Sequence, residues 1–139
     1  MNKAIKIIII TNQEEKFYPL LGPFLSRRAI VKELGYPIYD DDNKTWFVAM
    51  DGTNVAGFCA ARINESHADL VSAYVVPNYR NKSIYEQLFS YRLEKVCDHC
   101  SVIESTVTKQ ECDTFLKHKF ISVNTRGKYT KFRKEIKHG

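Results

Sequence analysis

The stretch from residue 68 to residue 108 restricts the fold of this chain more than any other. It contains a β-type run, "ADLVSAYVV" (68–76), a helical segment from Ser83 to about Cys97, and a second β-type run, "SVIESTVT" (101–108). A strand, a helix and a strand in this order place the two strands parallel in one sheet, joined by a right-handed crossover. The fold is therefore expected to contain a parallel strand pair connected through a helix.

The remaining segments predict antiparallel strands and further helices. "IKIIIIT" (5–11) is a β-branched run typical of a buried strand. Residues 45–63 predict two strands joined across Asp51-Gly52-Thr53-Asn54, and residues 120–136 predict a final strand pair around a Gly turn. Helices are predicted from Asn12 to about residue 21, where "LGP" would end the helix, over residues 24–34, and over residues 110–118.

Together these elements predict an α/β (α+β) fold with a mixed, mainly antiparallel central sheet of about seven strands, flanked by about four helices. The 139 residues contain no repeat or linker, so we expect one domain over residues 1–139. No apolar run approaches the roughly 20 residues that span a bilayer. "AIKIIII" is too short for a secretion signal, so we expect a cytoplasmic protein with no membrane partner. The net charge of +5 favours anionic partners.

The loop "VVPNYRNKSIY" (75–85) carries most of the functional information. Pro77 ends the strand, and Arg80 and Lys82 precede the predicted helix. The unpaired N–H groups at a helix start attract anions, so this loop suits a phosphate group. Ser83 and Glu86 also match an S-x-x-E capping box, which would satisfy the helix start without a ligand. These residues alone leave both interpretations open.

The same loop resembles the acetyl-CoA loop of the GNAT superfamily of N-acetyltransferases. That loop runs V-x-P, an aromatic residue and then R/Q-x-x-G-x-G/A after a central strand, and Val75, Pro77, Tyr79 and Arg80 match it. The predicted order of elements resembles that family over nearly the whole chain. Phe120 also matches the Phe of the family's Y-x-x-x-G-F. The sequence is therefore identified as GNAT-like.

This resemblance implies that the chain binds acetyl-CoA as the acyl donor. Backbone groups of the strand would pair with the pantetheine and polarise the acetyl carbonyl, and N–H groups of the loop would hold the pyrophosphate. Ser83 and Tyr85 depart from the family, which has small residues there that let the backbone approach the pyrophosphate. The implied cofactor-binding residues are Val75, Val76, Arg80, Asn81, Lys82, Ser83, Ile84 and Tyr85.

The resemblance also implies a catalytic base. In this family an amine attacks the thioester directly, which requires a base for the ammonium proton and an acid for the leaving thiolate. Asp69 lies six residues before the V of V-x-P, where several members carry the base. Glu65 and His67, in the preceding turn, are the alternatives.

The acid is where the sequence departs from the family. Phe115 occupies the position of the usual tyrosine, and a phenyl ring donates no proton. Tyr74, Tyr129 or His118 would substitute, or the thiolate would leave without an acid. We take Tyr74 as the candidate acid, beside Asp69 as the candidate base.

Two further patterns bear on ligands. "CDHC" (97–100), with Cys112 and His118, approaches a zinc spacing. The predicted strand 101–108 would separate Cys100 from Cys112 by roughly 20 Å, so we predict no metal site. The acidic run "YDDDN" (39–43) is typical of a solvated turn, but in the family this region shapes the acceptor site. By that analogy Tyr36 and Tyr39 are candidate substrate-binding residues for a cationic amine.

The carboxyl-terminal segment alternates basic and aromatic residues. Lys131 and Arg133 share one face of the predicted strand, and Phe132 and Lys134 share the other. Such a mixture suits nucleic acid, although no nucleic-acid-binding motif accompanies it. An edge strand protected by lysines is the alternative interpretation.

We therefore expect an acetyl-CoA-dependent N-acyltransferase that moves an acetyl group to a primary amine by direct attack. The acceptor would be a small molecule or a protein. Two alternatives remain: a catalytically inactive GNAT-fold binding module, and a GNAT-like enzyme acting on nucleic acid. The chain is compatible with a monomer or a homodimer.

Overall fold

The computed structural model of this chain describes residues 5–25, 27–34, 38–40, 43–80 and 83–137. These residues form a sheet of seven strands and four α-helices, in the predicted order, with a short 3₁₀ helix at Pro77–Tyr79. The elements are β1 (Lys6–Ile10), α1 (Phe17–Leu25), α2 (Arg28–Leu34), β2 (Lys44–Asp51), β3 (Asn54–Asn64), β4 (His67–Val75), α3 (Ile84–Cys97), β5 (Val102–Thr108), α4 (Lys109–Lys117), β6 (Ile121–Arg126) and β7 (Tyr129–Glu135).

The strands lie in the order β1-β2-β3-β4-β5-β7-β6. Only the central pair, β4 and β5, is parallel among the pairs of this sheet, and helix α3 connects its two strands. The other neighbours are antiparallel. The prediction of a mixed, mainly antiparallel sheet with four helices is therefore confirmed.

Among the described helices, none has both the length and the apolar character that a membrane-spanning helix requires.

The boundary between the first two helices differs from the prediction. Helix α1 runs through "LGP" and ends at Leu25, although Gly22 and Pro23 cost about 1 and 3 kcal/mol in a helix interior. Its side chains at Phe17, Leu21 and Phe24 lie on one stripe, and the first two are fully buried. Burial of this stripe against the sheet therefore outweighs the poor helix propensity of the two breakers.

The sheet has a hydrophobic cluster on each face. On one face, Leu88 and Phe89 of α3 and Phe115 of α4 pack with residues of the central strands. On the other face, Phe17 and Leu21 of α1 pack around Trp46. The central strands are consequently covered by helices on both sides, which positions the ends of β4 and β5 in the middle of the molecule.

A bulge in β4 interrupts the regular alternation of its side chains. Phe58 of β3 pairs with Tyr74, but Ala60 pairs with Val71, so β4 has one extra residue at this point. Ser72 lies in the bulge with a φ of 60°, in the left-handed region. Leu70 belongs to the cluster under α3 and Tyr74 to the cluster on the opposite face. The bulge therefore reverses the direction of the side chains along β4.

Gly57 shows how closely α3 approaches the sheet. A Cβ atom at Gly57 would lie 2.9 Å from the carbonyl oxygen of Tyr74 and 3.3 Å from side-chain carbons of both Ile84 and Leu88. The carbonyl oxygen belongs to the backbone of the neighbouring strand and cannot rotate away. A side chain at residue 57 would therefore push α3 or β4 out of place.

We predict that Gly57→Ala lowers the free energy of unfolding by about 1–3 kcal/mol, the usual cost of overpacking a core. Gly22→Ala is the matched control, because its Cβ would meet only the Tyr18 Cβ at an ordinary 3.9 Å. That variant should be slightly more stable than the original chain, since alanine favours a helix. Urea unfolding monitored by circular dichroism measures both changes. Equal stability of Gly57→Ala and the original chain would contradict the close packing of α3.

Candidate functional site

The parallel strands β4 and β5 pair over a short distance and then separate. Their register joins His67 to Val102, Ala68 to Ile103 and Asp69 to Glu104, and these are the pairs between the two strands. Beyond this point a cavity of about 390 Å³ lies between them, lined by Leu70–Ala73 of β4 and Ser105–Thr108 of β5. The Ser105 hydroxyl donates to the Leu70 carbonyl at 2.7 Å, at the lower end of the opening.

A larger groove adjoins this cavity. It has a volume of about 830 Å³ and is lined by the end of β4, the start of α3, the start of α4 and the β6–β7 turn. Ala73, Thr108 and Glu111 line both the groove and the cavity. The two spaces therefore meet where β4 and β5 have separated, and an elongated ligand could extend from the groove into the sheet.

The loop between β4 and α3 is held by its own side chains. The Tyr79 hydroxyl donates to Asp51 at 2.7 Å, which ties the 3₁₀ helix to the β2–β3 turn. Arg80 donates from Nε to the Val75 carbonyl at 3.0 Å and from a terminal nitrogen to Glu33 of α2 at 2.8 Å. The hydrogen bond from Arg80 lowers the pKa of the Glu33 carboxyl. Arg80 therefore lines the groove, and its guanidinium also forms an ion pair with a carboxylate of α2.

The start of α3 is not a capping box, and that interpretation of Ser83 and Glu86 is wrong. Ser83 has a φ of 60° and a ψ of 22°, and its side chain makes no capping hydrogen bond. Glu86 instead lies 3.4 Å from His118 and 3.8 Å from Lys117 of α4. The first N–H groups of α3 are therefore not occupied by the side chain at residue 83.

The other predicted cofactor-binding residues have different environments. Val75 and Val76 are half-buried, and Val76 donates its N–H to the Ala56 carbonyl. Ile84 is 1% exposed and packs in the cluster under α3. Asn81 and Lys82 lie outside the described residues.

Tyr85 bridges the two helices that border the groove. Its hydroxyl donates to Glu111 of α4 at 2.8 Å, and its ring lies against Phe89. Burial, followed by the nearby Glu111 carboxylate, raises the pKa of the Tyr85 hydroxyl, which keeps it protonated as a donor. Because Glu111 also lines the central cavity, the side chain of Tyr85 crosses the junction between groove and cavity.

The two predicted catalytic residues lie on the sheet face opposite α3, at different positions along β4. Asp69 is half-buried beside the last β4–β5 pair, and its carboxylate lies within 4.8 Å of ligand atoms of His67 and Glu104. Tyr74 lies beyond the bulge, is 7% exposed and lines the groove. The guanidinium of Arg80 stands over its ring at 5.5 Å. The structure therefore brings Tyr74 to the predicted cofactor loop and places Asp69 in the last β4–β5 pair, next to Leu70, which lines the cavity, whereas Asp69 itself does not.

Glu104 is a poor proton acceptor despite its place beside Asp69. It accepts hydrogen bonds from His67 at 2.7 Å and from Arg133 at 2.9 Å, and Lys131 lies at 3.5 Å. The hydrogen bond from His67, with those cations, lowers the pKa of Glu104 to about 2. A carboxylate with so low a pKa stays ionised and takes up protons weakly at neutral pH.

The predicted substrate-binding segment is only partly described. Tyr36 and two of the three aspartates lie outside the described residues. Tyr39 is 61% exposed and lines the central cavity, and its carbonyl accepts a hydrogen bond from the buried Lys44 at 2.7 Å. Asp40 accepts a hydrogen bond from Tyr18. Lys44 was missed at the sequence level, where it looked like an ordinary residue at the start of a strand.

Phe115 and Arg92 both line the central cavity. Phe115 is buried and stacks on Phe132, so it is a core residue as well as part of the cavity wall. Arg92 was not predicted to be functional. The sequence did indicate that Arg92 faces the core, since Arg92 lies four residues after Leu88 and three after Phe89, on the apolar stripe of α3.

The basic tail is largely engaged within the molecule. Lys131 and Arg133 lie beside Glu104, and Lys134 donates to the His118 carbonyl at 2.7 Å. Cys97 and Cys100 lie at the end of α3, and Cys112 lies on α4. Within the described part of the chain, the group of three potential ligands that come together is His67, Asp69 and Glu104. Lys131 and Arg133 of the tail therefore offset the negative charge of this acidic site.

Comparisons with known proteins agree on one family. Residues 10–114 match the sequence model of the Acetyltransferase (GNAT) family. The fold is similar to that of Escherichia coli ElaA, with a TM-score of 0.77 and 15% identity over 95% of this chain and 100% of that chain. It is also similar to the PaiA N-acetyltransferase of Thermoplasma acidophilum in complex with coenzyme A, with a TM-score of 0.65 and 15% identity over 96% and 99% of the two chains.

A third similar structure is a GNAT family acetyltransferase of Elizabethkingia anophelis with acetyl-CoA bound. Its TM-score is 0.67, at 11% identity over 95% of this chain and 98% of that chain. No curated protein sequence matches the chain.

We predict that Ser83→Gly raises the free energy of unfolding by about 0.5–1 kcal/mol. A left-handed conformation costs a residue other than glycine about 1–2 kcal/mol, and the greater freedom of glycine in the unfolded chain offsets part of the gain. Ser83→Ala is the matched control and should leave stability within about 0.5 kcal/mol, since the hydroxyl caps nothing. Denaturant unfolding measures both. A loss of about 1 kcal/mol in Ser83→Ala alone would show instead that the hydroxyl caps α3.

Proposed function

Because this chain belongs to the Acetyltransferase (GNAT) family, we propose that it transfers an acetyl group from acetyl-CoA to a primary amine. The observation that carries this proposal is the separation of β4 from β5 after three residue pairs, with a cavity between the strands and a groove above it. A thioester arm that enters from the groove would reach the centre of the sheet there. The acceptor amine would approach from the face that carries Asp69.

The residues present fit coenzyme A at the backbone of the loop. Ser83 keeps the left-handed conformation that glycine adopts most readily, at a position where the family has glycine. The N–H groups that begin α3 have no side-chain cap from Ser83, and a helix start of this kind favours a pyrophosphate. Acetyl-coenzyme A would supply the thioester, and the chain would align it with the acceptor.

The strand β4 offers the second part of the cofactor site. Beyond Asp69 its edge lines the cavity and the groove and is outside the β4–β5 register, and there the Val75 carbonyl accepts from Arg80 while the Val76 N–H is bonded to Ala56 of β3. An extended arm with amide groups can pair with such an edge as an additional strand does. Val75 would then contribute backbone atoms, and the side chains of Val75 and Val76 would contribute packing.

The reaction needs few groups from the protein. The lone pair of the amine forms a bond to the thioester carbon, the C–S bond breaks, and sulfur leaves with the electron pair. The nitrogen loses one proton to a base, and the thiolate gains one from an acid or from water. Alignment of the two reactants and stabilisation of charge therefore provide most of the acceleration.

Asp69 is the base that we propose. It lies at the lower end of the opening, on the face from which the acceptor would approach, whereas the neighbouring Glu104 is held ionised by its partners. Tyr74 remains the proposed acid, since its hydroxyl is carried by the strand that lines the groove. Tyr39, which lines the cavity from the loop before β2, would contact the acceptor.

The inactive binding module is supported by one observation, the bridge between Tyr85 and Glu111 across the junction of groove and cavity. If this bridge stays closed, the groove would hold a ligand whose reactive end never enters the sheet. Cofactor titration together with a transfer assay distinguishes the two functions, because the binding module would bind coenzyme A and transfer nothing.

We predict that the chain binds acetyl-CoA in calorimetric titration and acetylates members of a panel of primary amines. Asp69→Asn should lower kcat by about a hundredfold or more, the usual range for loss of a general base, with little change in acetyl-CoA affinity. Asp98→Asn, at an exposed position directly after α3, is the matched control and should behave like the original chain. Absence of binding at millimolar acetyl-CoA would overturn the proposed function. An Asp69→Asn variant with unchanged kinetics would remove Asp69 as the base.

We also predict that Tyr85→Phe tightens acetyl-CoA binding by about two- to tenfold. The ligand no longer has to break the hydrogen bond to Glu111, and such a bond contributes about 0.5–1.5 kcal/mol. Tyr91→Phe removes a hydroxyl from the same helix away from the groove and should leave the affinity unchanged. Weaker binding by Tyr85→Phe would mean that the Tyr85 hydroxyl contacts the ligand.

A further inference from the structure

Arg92 is a charged residue in the hydrophobic core. It lies on the face of α3 that packs against the sheet, and it is 2% exposed. One terminal nitrogen donates to the Ala60 carbonyl at 3.0 Å and to the Val71 carbonyl at 3.3 Å. These two residues pair with each other immediately beside the β4 bulge. Arg92 therefore holds its guanidinium at the bulge, between the helix and the opening in the sheet.

Among the described residues, no carboxylate forms an ion pair with Arg92, although Glu111 lines the same cavity. The hydrogen bonds of Arg92 run to two neutral carbonyls, its Nε atom is buried without a partner, and its guanidinium stands 5.6 Å from the centre of the Phe89 ring. Burial of an ion without an opposite charge costs several kcal/mol. A guanidinium that lines a cavity can receive an anion that arrives with a ligand or forms during the reaction.

The cavity brings Arg92 to the place where the family's acid is missing. Arg92 and Phe115 both line the same 390 Å³ cavity, and Phe89 contacts both of them. Phe115 occupies the position at which the family carries the tyrosine that protonates the leaving thiolate. The chain thus has an apolar ring where the proton donor would be and a buried cation nearby.

We propose that the guanidinium of Arg92 stabilises the thiolate of coenzyme A as an anion, in place of the proton that the missing tyrosine would donate. This inference rests on the proposed acetyl transfer. When the amine nitrogen bonds to the carbonyl carbon, the C–S bond breaks and the electron pair stays on sulfur. Arg92 donates hydrogen bonds to this sulfur and transfers no proton, and the departed thiolate is protonated afterwards by Tyr74 or by water.

The other charged and titratable groups around the cavity leave a positive excess near Arg92. Glu111 is the acidic group, and it already accepts a hydrogen bond from Tyr85. Cys59 lies under α3, and burial raises the pKa of its thiol, so it stays neutral. The remaining groups that line the cavity are Lys44, Arg62, Tyr39 and Tyr129. An anionic sulfur in this cavity therefore has more cationic than anionic neighbours.

The experiment measures the ionisation of the coenzyme A thiol when bound. Ultraviolet absorbance of the thiolate is followed against pH with coenzyme A free and in saturated complex, in the original chain, in Arg92→Met and in Arg92→Lys. An ordinary thiol has a pKa of about 8.5. We expect the complex with the original chain to raise the acid dissociation constant of the thiol by about tenfold or more, as a neighbouring arginine does for reactive cysteines.

The variants separate charge from packing. Arg92→Met keeps much of the side-chain volume without the charge and should return the thiol to its free ionisation behaviour. Arg92→Lys keeps the charge and should retain most of the shift. Coenzyme A that lacks the sulfur is the control ligand, and its affinity should be the same for all three proteins. Unequal affinity for that ligand would overturn a role confined to the sulfur.

The outcomes distinguish this inference from the proposed function. If coenzyme A binds to the original chain and its thiol ionises as it does in solution, the role of Arg92 is overturned and acetyl transfer stands. This measurement needs no variant, so a folding defect in Arg92→Met does not weaken it. If the thiol shift is equally large in Arg92→Met, another group is responsible and the assignment to Arg92 is wrong. If coenzyme A does not bind at all, both proposals fail.

Discussion

Ser72 adopts a left-handed backbone conformation in the middle of β4, and the bulge that it creates reverses the side chains of the strand beyond it. Below the bulge β4 pairs with β5, and above it the two strands diverge around a cavity. A strained residue in a central strand costs about 1–2 kcal/mol and persists only when its surroundings hold it. Without this bulge, Tyr74 would face α3, and the opening in the sheet would lose one of its walls.

Two buried cations stabilise the bulge from different elements. Lys44 of β2 lies 3.3 Å from the Ser72 hydroxyl oxygen, and Arg92 of α3 donates to the Val71 carbonyl. Backbone carbonyls at a bulge lose their regular partners, and a guanidinium can satisfy two of them with one nitrogen. The same positive charge that supports the strand then lies beside the cavity. The Arg92 side chain therefore both supports the bulge in β4 and places a positive charge beside the cavity.

The loop between β4 and α3 is connected to several neighbouring elements by direct contacts. Arg80 joins the loop to Glu33 of α2, and Tyr79 joins it to Asp51 at the β2–β3 turn. On the other side, Tyr85 joins α3 to Glu111 of α4. These hydrogen bonds therefore join the loop and the start of α3 to helices on both faces of the sheet.

Most of the fold was predictable because it depends on local patterns. β-branched runs, glycine turns and a strand–helix–strand unit led to the observed order of elements and to the parallel pair at the centre. The match of Val75, Pro77, Tyr79 and Arg80 to the family loop was likewise readable from spacing. The end of α1 was not predictable, because the burial of Phe17 and Leu21 is a property of the packed molecule and outweighs the local effect of Gly22 and Pro23.

The sequence by itself determined the class of fold, the family and the loop after β4 that carries the family's motif, since each of these depends on residue types at short separations. Tertiary structure alone decided which groups act together. Asp69 meets Glu104, Tyr85 meets Glu111, and Arg92 meets the bulge in β4 across separations of about 20 to 35 residues. Burial and partner charges, which set the chemistry of a carboxylate or a guanidinium, arise only when distant segments are packed together.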